Sequence, residues 1–427
     1  MTHDASDTGR RPGLRIQRAE RMQIRLHTAS LDQLVSDDHP VRAVWDYAVA
    51  ADLEPLYRQI RTVASAPGRP PIDPRILFAL WIYATLDGIG SGRRLARLCE
   101  EHQVYQWICG GVTVNQHTLS DFRVDHADVL ERLLIDGIAG LMKQKLVTMN
   151  AVSQDGMRVR ASAGSSSFRR KEKLESYLDA AEKQVAALKK ELNDDPAASG
   201  RRQDAAKERV ARDRLERVKK ALAEQEKVKE SKQKNREKRE ARASTTDPEA
   251  RVMKMADGGF RPGINVQFVT DVESRLVIAV TTTSSGSDKG QLVPMLQKLR
   301  QDYGRTPAEI LVDGDFITKD NITTASAPPY NATIFAPVMK PSEDRDRHVP
   351  LPDDPPAVAA WRSRMGTESA KRRYRDRAST AEWTNALARN RGLIRFLVRG
   401  LKKAKAVALW FVLSHNLMQR RLSPAVS

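Results

Sequence analysis

The chain has 427 residues, 40% of them hydrophobic, which is enough for the cores of two or three domains. Its formal net charge of +18 predicts a polyanionic partner, with nucleic acid as the first candidate. Cys99 and Cys109 match no zinc motif and are too few for a disulfide framework, so a reducing cytosol is expected. The polar N-terminus predicts no signal peptide, and the apolar run 406–413 is too short to cross a membrane.

The first part of the chain predicts a basic arm followed by helices. Residues 1–27 are expected to form a basic, partly disordered arm, and residues 28–146 an all-helical DNA-binding domain. Asp73 and Pro74 suit a helix start, and the apolar run that follows them predicts a buried helix. Another helix is expected from about 118 to 146, with a serine or threonine as its cap.

A glycine-containing stretch at 88–92 predicts a turn between the buried helix and an arginine-rich helix. Arg93, Arg94 and Arg97 lie on one side of this second helix and are candidate DNA-binding residues. Two helices joined by such a turn are typical of a helix-turn-helix DNA reader. Arginines on an exposed helix face are more often solvated than base-reading, so both interpretations stay open at this point.

Residues 147–168 change to an alternating pattern that predicts a strand containing Asp155, with Arg158 and Arg160 as candidate DNA contacts. Between 169 and 243, apolar residues recur with the four-three spacing of a coiled coil, and a stretch with proline and glycine interrupts them. We therefore expect an antiparallel coiled-coil hairpin inserted after the first strand. Its role stays open.

After residue 244 the pattern alternates between strands and helices. Residues 264–270 and 275–281 predict a hairpin, 288–303 an amphipathic helix, 310–312 and 332–336 short strands, 340–360 a loop, and 357 onward helices. Together with the first strand these elements predict an α/β fold, a mixed sheet flanked by helices, built from 147–168 and 244–420.

Three acidic residues occupy positions that suit a two-metal site: Asp155 in the first strand, Asp313 at the end of a short strand, and Glu382 in a basic helical stretch. Carboxylate oxygens are the ligands that Mg²⁺ prefers, and two such ions promote phosphodiester cleavage. Asp315 is a rival to Asp313. Each acid also has a structural alternative, as a turn aspartate or as a surface ion pair of little energetic weight.

Asn385 and Arg389 follow Glu382 at helical spacing and share its face. A metal-binding glutamate with an arginine two turns away suits simultaneous contact with metal and with the phosphate backbone. Asn385 and Arg389 are therefore further candidates for DNA contact.

Short motifs along most of the chain, taken together and in order, resemble those of bacterial insertion-sequence transposases of the DDE type. They lie at 68–75, 117–123, 154–158, 244–248, 259–262, 265–267, 286–288, 311–314, 381–386, 389–393 and 415–417. The resemblance implies an RNase H-like core in which Asp155, Asp313 and Glu382 are the catalytic, metal-binding triad. It implies two Mg²⁺ ions, for which Mn²⁺ can substitute, and cutting at terminal inverted repeats followed by joining to target DNA.

In related transposases the glutamate lies in a signature of tyrosine, arginine, glutamate and a final basic residue. Tyr374, Arg377, Glu382 and Arg389 reproduce it, with four residues rather than three between Arg377 and Glu382. The resemblance makes Tyr374 and Arg377 candidates for DNA contact. Where the family commonly has a second glycine before an aromatic residue, this chain has Asp315, an added negative charge beside the expected metals.

Double-stranded DNA is the expected partner, and a homodimer is expected in the synaptic complex because two DNA ends must be brought together. The expected location is the bacterial cytoplasm, in association with the nucleoid and away from membranes. Three alternatives stay open: a metal-dependent nuclease without joining activity, a catalytically inactive transposase-derived DNA-binding protein, and a coiled-coil scaffold whose basic charge is incidental.

Overall fold

A computed structural model describes residues 22, 30–60, 70–194, 201–232, 240–340 and 345–422. The expected arm at 1–27 therefore lies outside the described residues, except for Met22. None of the described helices is long and apolar enough to span a membrane.

The N-terminal part of the described chain is helical. Its helices are α1 (Pro40–Ala50), α2 (Glu54–Tyr57), α3 (Pro74–Leu86), α4 (Gly92–Glu101), α5 (Gln103–Cys109), α6 (Gln116–Asp125) and α7 (Ala127–Lys143). The predicted start of α3 is confirmed, because the Asp73 side chain accepts a hydrogen bond from Arg75 N and Pro74 fills the first turn. Most of α3 is buried, as its apolar run predicts.

The single helix expected from about 118 to 146 was wrong, because two helices, α6 and α7, occupy this region. Asn115 is the cap of α6, and its side chain accepts hydrogen bonds from the backbone N–H groups of His117 and Thr118. His126, with φ −114° and ψ 32°, leaves the helical region and separates the two helices. Its ring packs against Phe122, with ring centroids 4.9 Å apart.

The strands are β1 (Ala151–Arg160), β2 (Phe168–Arg169), β3 (Ala243–Ser244), β4 (Arg251–Lys254), β5 (Phe260–Asp271), β6 (Val277–Thr283), β7 (Glu309–Leu311) and β8 (Thr333–Phe335). In the main sheet, β5 lies antiparallel to β1, β4 and β6. On its other edge β1 pairs in parallel with β7, which pairs in parallel with β8. The predicted β5–β6 hairpin is confirmed, and the sheet is mixed.

Between β1 and β5 the chain forms two long helices, α8 (Lys171–Asp194) and α9 (Arg201–Glu230). They run antiparallel, since Lys171 Nζ at the start of α8 lies 2.8 Å from Glu226 Oε1 near the end of α9. At their base β2 pairs with β3. The second helix ends at Glu230, earlier than the pattern predicts, and part of the segment that follows lies outside the described residues.

The remaining helices are α10 (Leu292–Tyr303), α11 (Lys319–Ser326), α12 (Pro356–Met365), α13 (Glu368–Arg377), α14 (Trp383–Asn390) and α15 (Leu401–Leu422), with a π-helix at Ala378–Glu382 joining α13 to α14. α12 begins at Pro356, one residue before the expected helical region, and proline suits the first turn of a helix. The loop expected at 340–360 therefore ends before Pro356.

The last helix, α15, joins the N-terminal helices to the sheet. Trp410 Nε1 donates to Arg123 O at 2.9 Å on the helical side. On the sheet side, Asn416 Oδ1 accepts from Val277 N and Asn416 Nδ2 donates to Val277 O, both at 2.8 Å. Buried apolar residues of the N-terminal helices, of β1 and β5–β8, and of α15 belong to one continuous cluster, whereas those at the base of α8 and α9 form separate small clusters. The core therefore fixes the helical part directly against the sheet.

Candidate active site

The two strands that carry the predicted aspartates are neighbours in the sheet. β1 pairs in parallel with β7, with Ser153 opposite Leu311. Asp155 lies in β1 just beyond this pair, and Asp313 follows β7 at the corresponding place. Because parallel neighbours run in the same direction, the two carboxylates reach the same end of the sheet.

Asp155 is well enclosed, with 15% of its side chain exposed. Its Oδ1 accepts a hydrogen bond from Gly156 N at 2.9 Å. Burial raises the pKa of Asp155 to about 6, against the opposing effects of the Arg377 charge and the Gly156 N–H. The carboxyl group of Asp155 is therefore harder to ionise than an exposed aspartate, and Arg377 and the Gly156 N–H favour its charged form.

Asp313 is more open than Asp155, with 53% of its side chain exposed. It caps the short 3₁₀ helix Gly314–Phe316, and its Oδ1 accepts from Gly314 N at 2.5 Å. Asp315, the rival in the sequence, is exposed within this turn. In the described chain no ion pair joins Asp315 to Arg377, whereas Asp313 does make one.

A single guanidinium group connects the three predicted acids, Asp155, Asp313 and Glu382, which we call the triad. Arg377 Nη1 lies 2.7 Å from Glu382 Oε1. Arg377 Nη2 lies 3.1 Å from Asp155 Oδ2 and 3.7 Å from Asp313 Oδ2. Only 8% of the Arg377 side chain is exposed. The fold thus gathers three carboxylates from distant parts of the sequence around one buried positive charge.

The π-helix Ala378–Glu382 explains how Arg377 reaches Glu382. With 3.6 residues per turn, side chains five positions apart in an α-helix point about 140° away from each other. The wider i→i+5 turn of a π-helix returns them to one face. The additional residue between Arg377 and Glu382, relative to the related signature, is therefore absorbed by this turn.

The helix that follows Glu382 is fixed to the sheet by buried polar contacts. Asn385 Nδ2 donates to Asp155 Oδ2 at 2.9 Å. Thr384 Oγ1 lies 3.2 Å from Thr270 Oγ1 on β5, and either hydroxyl can donate. These contacts hold α14 against the two central strands, so they set the position of Glu382 relative to Asp155.

A second polar cluster lies on the opposite face of the sheet from the triad. Asp288 Oδ1 accepts from Asn265 Nδ2 at 2.8 Å and from Gln267 Nε2 at 2.6 Å. Asp288 Oδ2 accepts from Arg158 Nη2 at 2.7 Å. Gly156 leaves room for this carboxylate, because a Cβ there would lie 2.1 Å from Asp288 Oδ1. Asp155 and Gly156 are neighbours in β1, so they face opposite sides of the sheet. The Asp288 cluster therefore packs against the face of β1 that lies opposite the triad.

Two of the residues predicted to contact DNA, Arg377 and Asn385, are buried against the triad. Their spacing from Glu382 indicates a shared helix face, but it does not indicate which partner that face meets. The sequence also gives no signal that Asp288 is the partner of Arg158. That contact depends on the register between β1 and β5, which places Arg158 opposite Asn265.

The other candidate DNA contacts lie at or near the surface. Arg93, Arg94 and Arg97 on α4, Arg160 at the end of β1 and Arg389 on α14 are exposed, and Arg158 and Tyr374 are half-buried. Arg160, Arg261 and Arg395 line a pocket of about 260 Å³. Within the described residues, no hydrogen bond or ion pair joins the α4 arginines to the triad; Arg93 Nε donates to Gln116 Oε1 instead.

The chemistry of the triad fits a hard divalent cation, since three carboxylates supply the oxygen ligands that Mg²⁺ prefers. Arg377 already holds positive charge among them. In the part of the chain that the structure describes, however, no group of three histidine, cysteine, aspartate or glutamate side chains is close enough to hold a metal ion. The three carboxylates are therefore suitable ligands for Mg²⁺, but in this structure their oxygens are arranged around the Arg377 guanidinium as an ion-pair network.

Two family models match separate parts of the chain. One, described as Transposase domain (DUF772), matches residues 29–125, and the other, described as Transposase DDE domain, matches residues 345–420. Both matches are to transposases. Together they support the assignment of this chain to the insertion-sequence DDE transposases. Glu382 lies inside the second match, and Asp155 and Asp313 lie between the two. No curated protein and no solved structure matches the chain.

Proposed function

We propose that the protein binds the terminal inverted repeats of an insertion sequence, cuts DNA at them in a Mg²⁺-dependent reaction and joins the ends to target DNA. The observation that carries this proposal is the meeting of Asp155, Asp313 and Glu382 at one guanidinium group. The three acids, from β1, from the residues just after β7 and from the start of α14, supply the carboxylate oxygens that two-metal phosphodiester chemistry uses.

The order of strands supports an RNase H-like core. β6, β5 and β1 form an antiparallel series, and β7 and β8 continue it in parallel with β1. The acids lie on β1, directly after β7, and at the start of α14, as the resemblance implies. Residues 147–168 and 244–420 are the catalytic core in this proposal.

The antiparallel pair α8 and α9 supports a coiled-coil insertion. Apolar residues at heptad-like positions are buried along it: Leu174, Ala181 and Val185 on α8, and Ala211, Val218 and Ala221 on α9. Charged residues cover the outer faces, and many of them form ion pairs within or between the two helices. A seam of this type suits a hairpin that projects from the core.

The chain's own residues prepare the site for catalysis. Asn385 and the Gly156 N–H orient the two oxygens of Asp155, which fixes the direction of its carboxylate. Asp313 and Glu382 remain more than half exposed, so the DNA backbone can approach from their side. When bound, Mg²⁺ would supply activation of a water molecule or 3′-hydroxyl and stabilisation of the leaving oxygen.

Surface arginines supply the proposed contacts with DNA. Arg261 is paired with Asp257, but the side chains of Arg160 and Arg395 have no hydrogen bond or ion pair within the described chain. Guanidinium groups form strong, often bidentate hydrogen bonds with phosphate oxygens. The pocket between these arginines therefore suits a backbone phosphate, and a net charge of +18 favours DNA as the partner. A homodimer would bring two DNA ends together.

The decisive experiment replaces each acid with its neutral isostere: Asp155→Asn, Asp313→Asn and Glu382→Gln. Each variant should lose Mg²⁺-dependent cleavage of DNA that carries the element's inverted repeats, while binding of that DNA stays largely intact. Asp315→Asn is the matched control and should keep most of the cleavage. Full cleavage by any of the three triad variants would show that the assigned triad is wrong.

Strand transfer is tested separately with DNA ends that are already cut. A transposase joins these ends to target DNA, whereas a metal-dependent nuclease yields no joined product. An inactive DNA-binding protein would bind the repeats but neither cut nor join them.

A further inference from the structure

The guanidinium group of Arg377 lies in the position that cations would take among the triad. We propose that Arg377 is an internal counter-cation, which occupies this position in the metal-free protein and has to move out before divalent ions bind. The proposal rests on the proposed function, because it assumes that the triad is the metal site. It adds a role for Arg377 that is distinct from contact with DNA.

The contacts of Arg377 point to this role. Within the described chain, the side-chain partners of Arg377 are the triad carboxylates, through Nη1 and Nη2. Its Nε is buried without a hydrogen-bond partner. Since no carbonyl or hydroxyl group holds the guanidinium of Arg377 in place, its ion pairs with the triad are what retain it there.

The charge balance leaves a strong attraction for further cations. Three ionised carboxylates around one guanidinium give the site an excess of negative charge that Arg377 alone does not neutralise. The guanidinium cannot lose its proton in a protein, so it can vacate the site only by moving. Asp313 and Glu382 are 53% and 57% exposed, which leaves an open side through which cations can enter.

The surroundings of Arg377 favour an exchange that leaves the two aspartates in place. Asp155 keeps its hydrogen bonds from Asn385 and from Gly156 N when the guanidinium leaves. Asp313 keeps its hydrogen bond from Gly314 N. Arg377 itself precedes the π-helix, an irregular turn of the kind that often occurs at functional sites. In the described chain, Asp155 and Asp313 therefore each have an attachment besides Arg377, whereas the guanidinium of Arg377 has none besides the triad.

If Arg377 competes with metal for the triad, only molecules whose triad is free of Arg377 can bind metal. The apparent Kd for metal then equals the intrinsic Kd divided by the fraction of such molecules. The test measures binding of Mn²⁺ to the full-length protein without DNA, with free Mn²⁺ followed by electron paramagnetic resonance. If the site is free in about a tenth of the molecules or fewer, Arg377→Met should bind Mn²⁺ at least about tenfold more tightly than the wild type.

Arg373→Met is the matched control. Arg373 lies one turn earlier on the same helix and pairs with Glu309 at 2.6 Å and Asp376 at 2.9 Å, and no ion pair joins it to the triad in the described chain. Its replacement removes the same charge and should leave Mn²⁺ affinity within about twofold of the wild type.

A thermal measurement separates this role from a purely structural one. Without metal, Arg377→Met should melt below the wild type, because three carboxylates then repel one another. Mn²⁺ should raise its Tm by more than it raises the wild-type Tm. A lower Tm with no gain in Mn²⁺ affinity would show that Arg377 contributes only to the stability of the fold. Unchanged Mn²⁺ affinity with weaker DNA binding would show that it is a DNA contact. Either result overturns the proposal.

Arg377→Lys keeps the proposal testable if Arg377→Met does not fold. A lysine retains the charge, but its compact ammonium group does not span three carboxylates as the planar guanidinium does. It should therefore yield to Mn²⁺ more readily, with affinity several-fold tighter than that of the wild type. Equal or weaker affinity would overturn the proposal.

Asp155→Asn distinguishes this inference from the proposed function. If Asp155→Asn loses Mn²⁺ binding while the Arg377 variants gain none, the triad is the metal site and only the counter-cation role is wrong. If Asp155→Asn binds Mn²⁺ as the wild type does, the triad is not the metal site, and both proposals fail.

Discussion

Arg377 Nη1 and Glu382 Oε1 are 2.7 Å apart, although five positions separate the two residues along one helical segment. A regular α-helix would turn these side chains away from each other. The π-helix that begins at Ala378 restores their common face. An added residue has therefore changed the helix geometry and preserved the ion pair.

Removing one residue from the π-helix should be tolerated. Deletion of Ser379, an exposed residue, should convert the segment to a regular α-helix, in which Arg377 and Glu382 become four positions apart and stay on one face. Cleavage should remain within about tenfold of the wild type. Insertion of an alanine after Ser379 should instead turn Glu382 away from Asp155 and Asp313 and reduce cleavage by about 100-fold or more. Equal losses in both variants would contradict this account of the helix.

Gly156→Ala should lower the free energy of unfolding, because the added methyl group would clash with the Asp288 cluster on the face of the sheet opposite the triad. The new Cβ would lie 2.1 Å from Asp288 Oδ1 and 2.5 Å from Gln267 Nε2, inside a buried cluster that cannot expand freely. The expected loss in unfolding free energy is about 3 kcal/mol or more, at the upper end of overpacking effects. Gly137→Ala is the control, because nothing lies within 4 Å of a Cβ at this position in α7.

The control should have unchanged or slightly raised stability, since alanine suits a helix interior better than glycine by about 0.5–1 kcal/mol. Urea unfolding of both variants gives the comparison. Similar stability in the two would mean that the Asp288 cluster adapts to an added methyl group.

His415 should make the protein less stable at acid pH. Burial lowers the pKa of His415 to about 4, below the value of about 6.5 for an unfolded chain. The unfolded state therefore takes up a proton first, and stability is lost as the pH falls from about 6.5 towards 4. Between pH 7.5 and 5.0, the wild type should lose about 2 kcal/mol more unfolding free energy than His415→Gln. The exposed His117 supplies the control, as His117→Gln.

Urea unfolding at the two pH values measures this difference. In the native state His415 Nε2 donates to Arg275 O at 3.2 Å, and its Nδ1 is buried without a partner, so this ring cannot easily accept a second proton. Equal pH dependence in the wild type and in His415→Gln would show that the ring is protonated at little cost.

The arginine pocket should contribute to DNA affinity without setting its sequence preference. Arg160→Ala and Arg395→Ala should each weaken binding to any duplex, and each should reduce the slope of log affinity against log salt by about 1. Arg58→Ala is a control, because Arg58 is exposed and pairs with Glu54 at 3.2 Å. Titrations at several salt concentrations measure the slope, and an unchanged slope would place the DNA elsewhere.

Local signals in the sequence were sufficient for much of the fold. Asp73 and Pro74 set the start of α3, and alternating apolar residues indicated the β5–β6 hairpin. The position of Asp313 after a short apolar run indicated a strand end, which the structure confirms. These features depend on neighbours in sequence, where caps, turns and periodicity act directly.

Features that depend on long-range packing could not be predicted. The break at His126 lies within a continuous helical pattern and is accompanied by packing of its ring on Phe122. The contact of Arg158 with Asp288 depends on strand register and on a loop returning beside β1. The spacing around Glu382 showed which residues share its face, but only the fold shows that Arg377 meets carboxylates there.

The base of the α8–α9 pair bears on how the sheet assembles. Phe168 lies opposite Ser244 where the chain leaves the sheet and returns, and Ser167 Oγ lies 2.7 Å from Ser244 Oγ. Once α8 and α9 have packed against each other, β2 and β3 at their base are held as neighbours. This holds for any length of the two helices. β1 and β5 can then meet as if they belonged to a short loop, at a small closure entropy. Changes in the length of this arm should therefore leave the folding rate of the sheet almost unaltered.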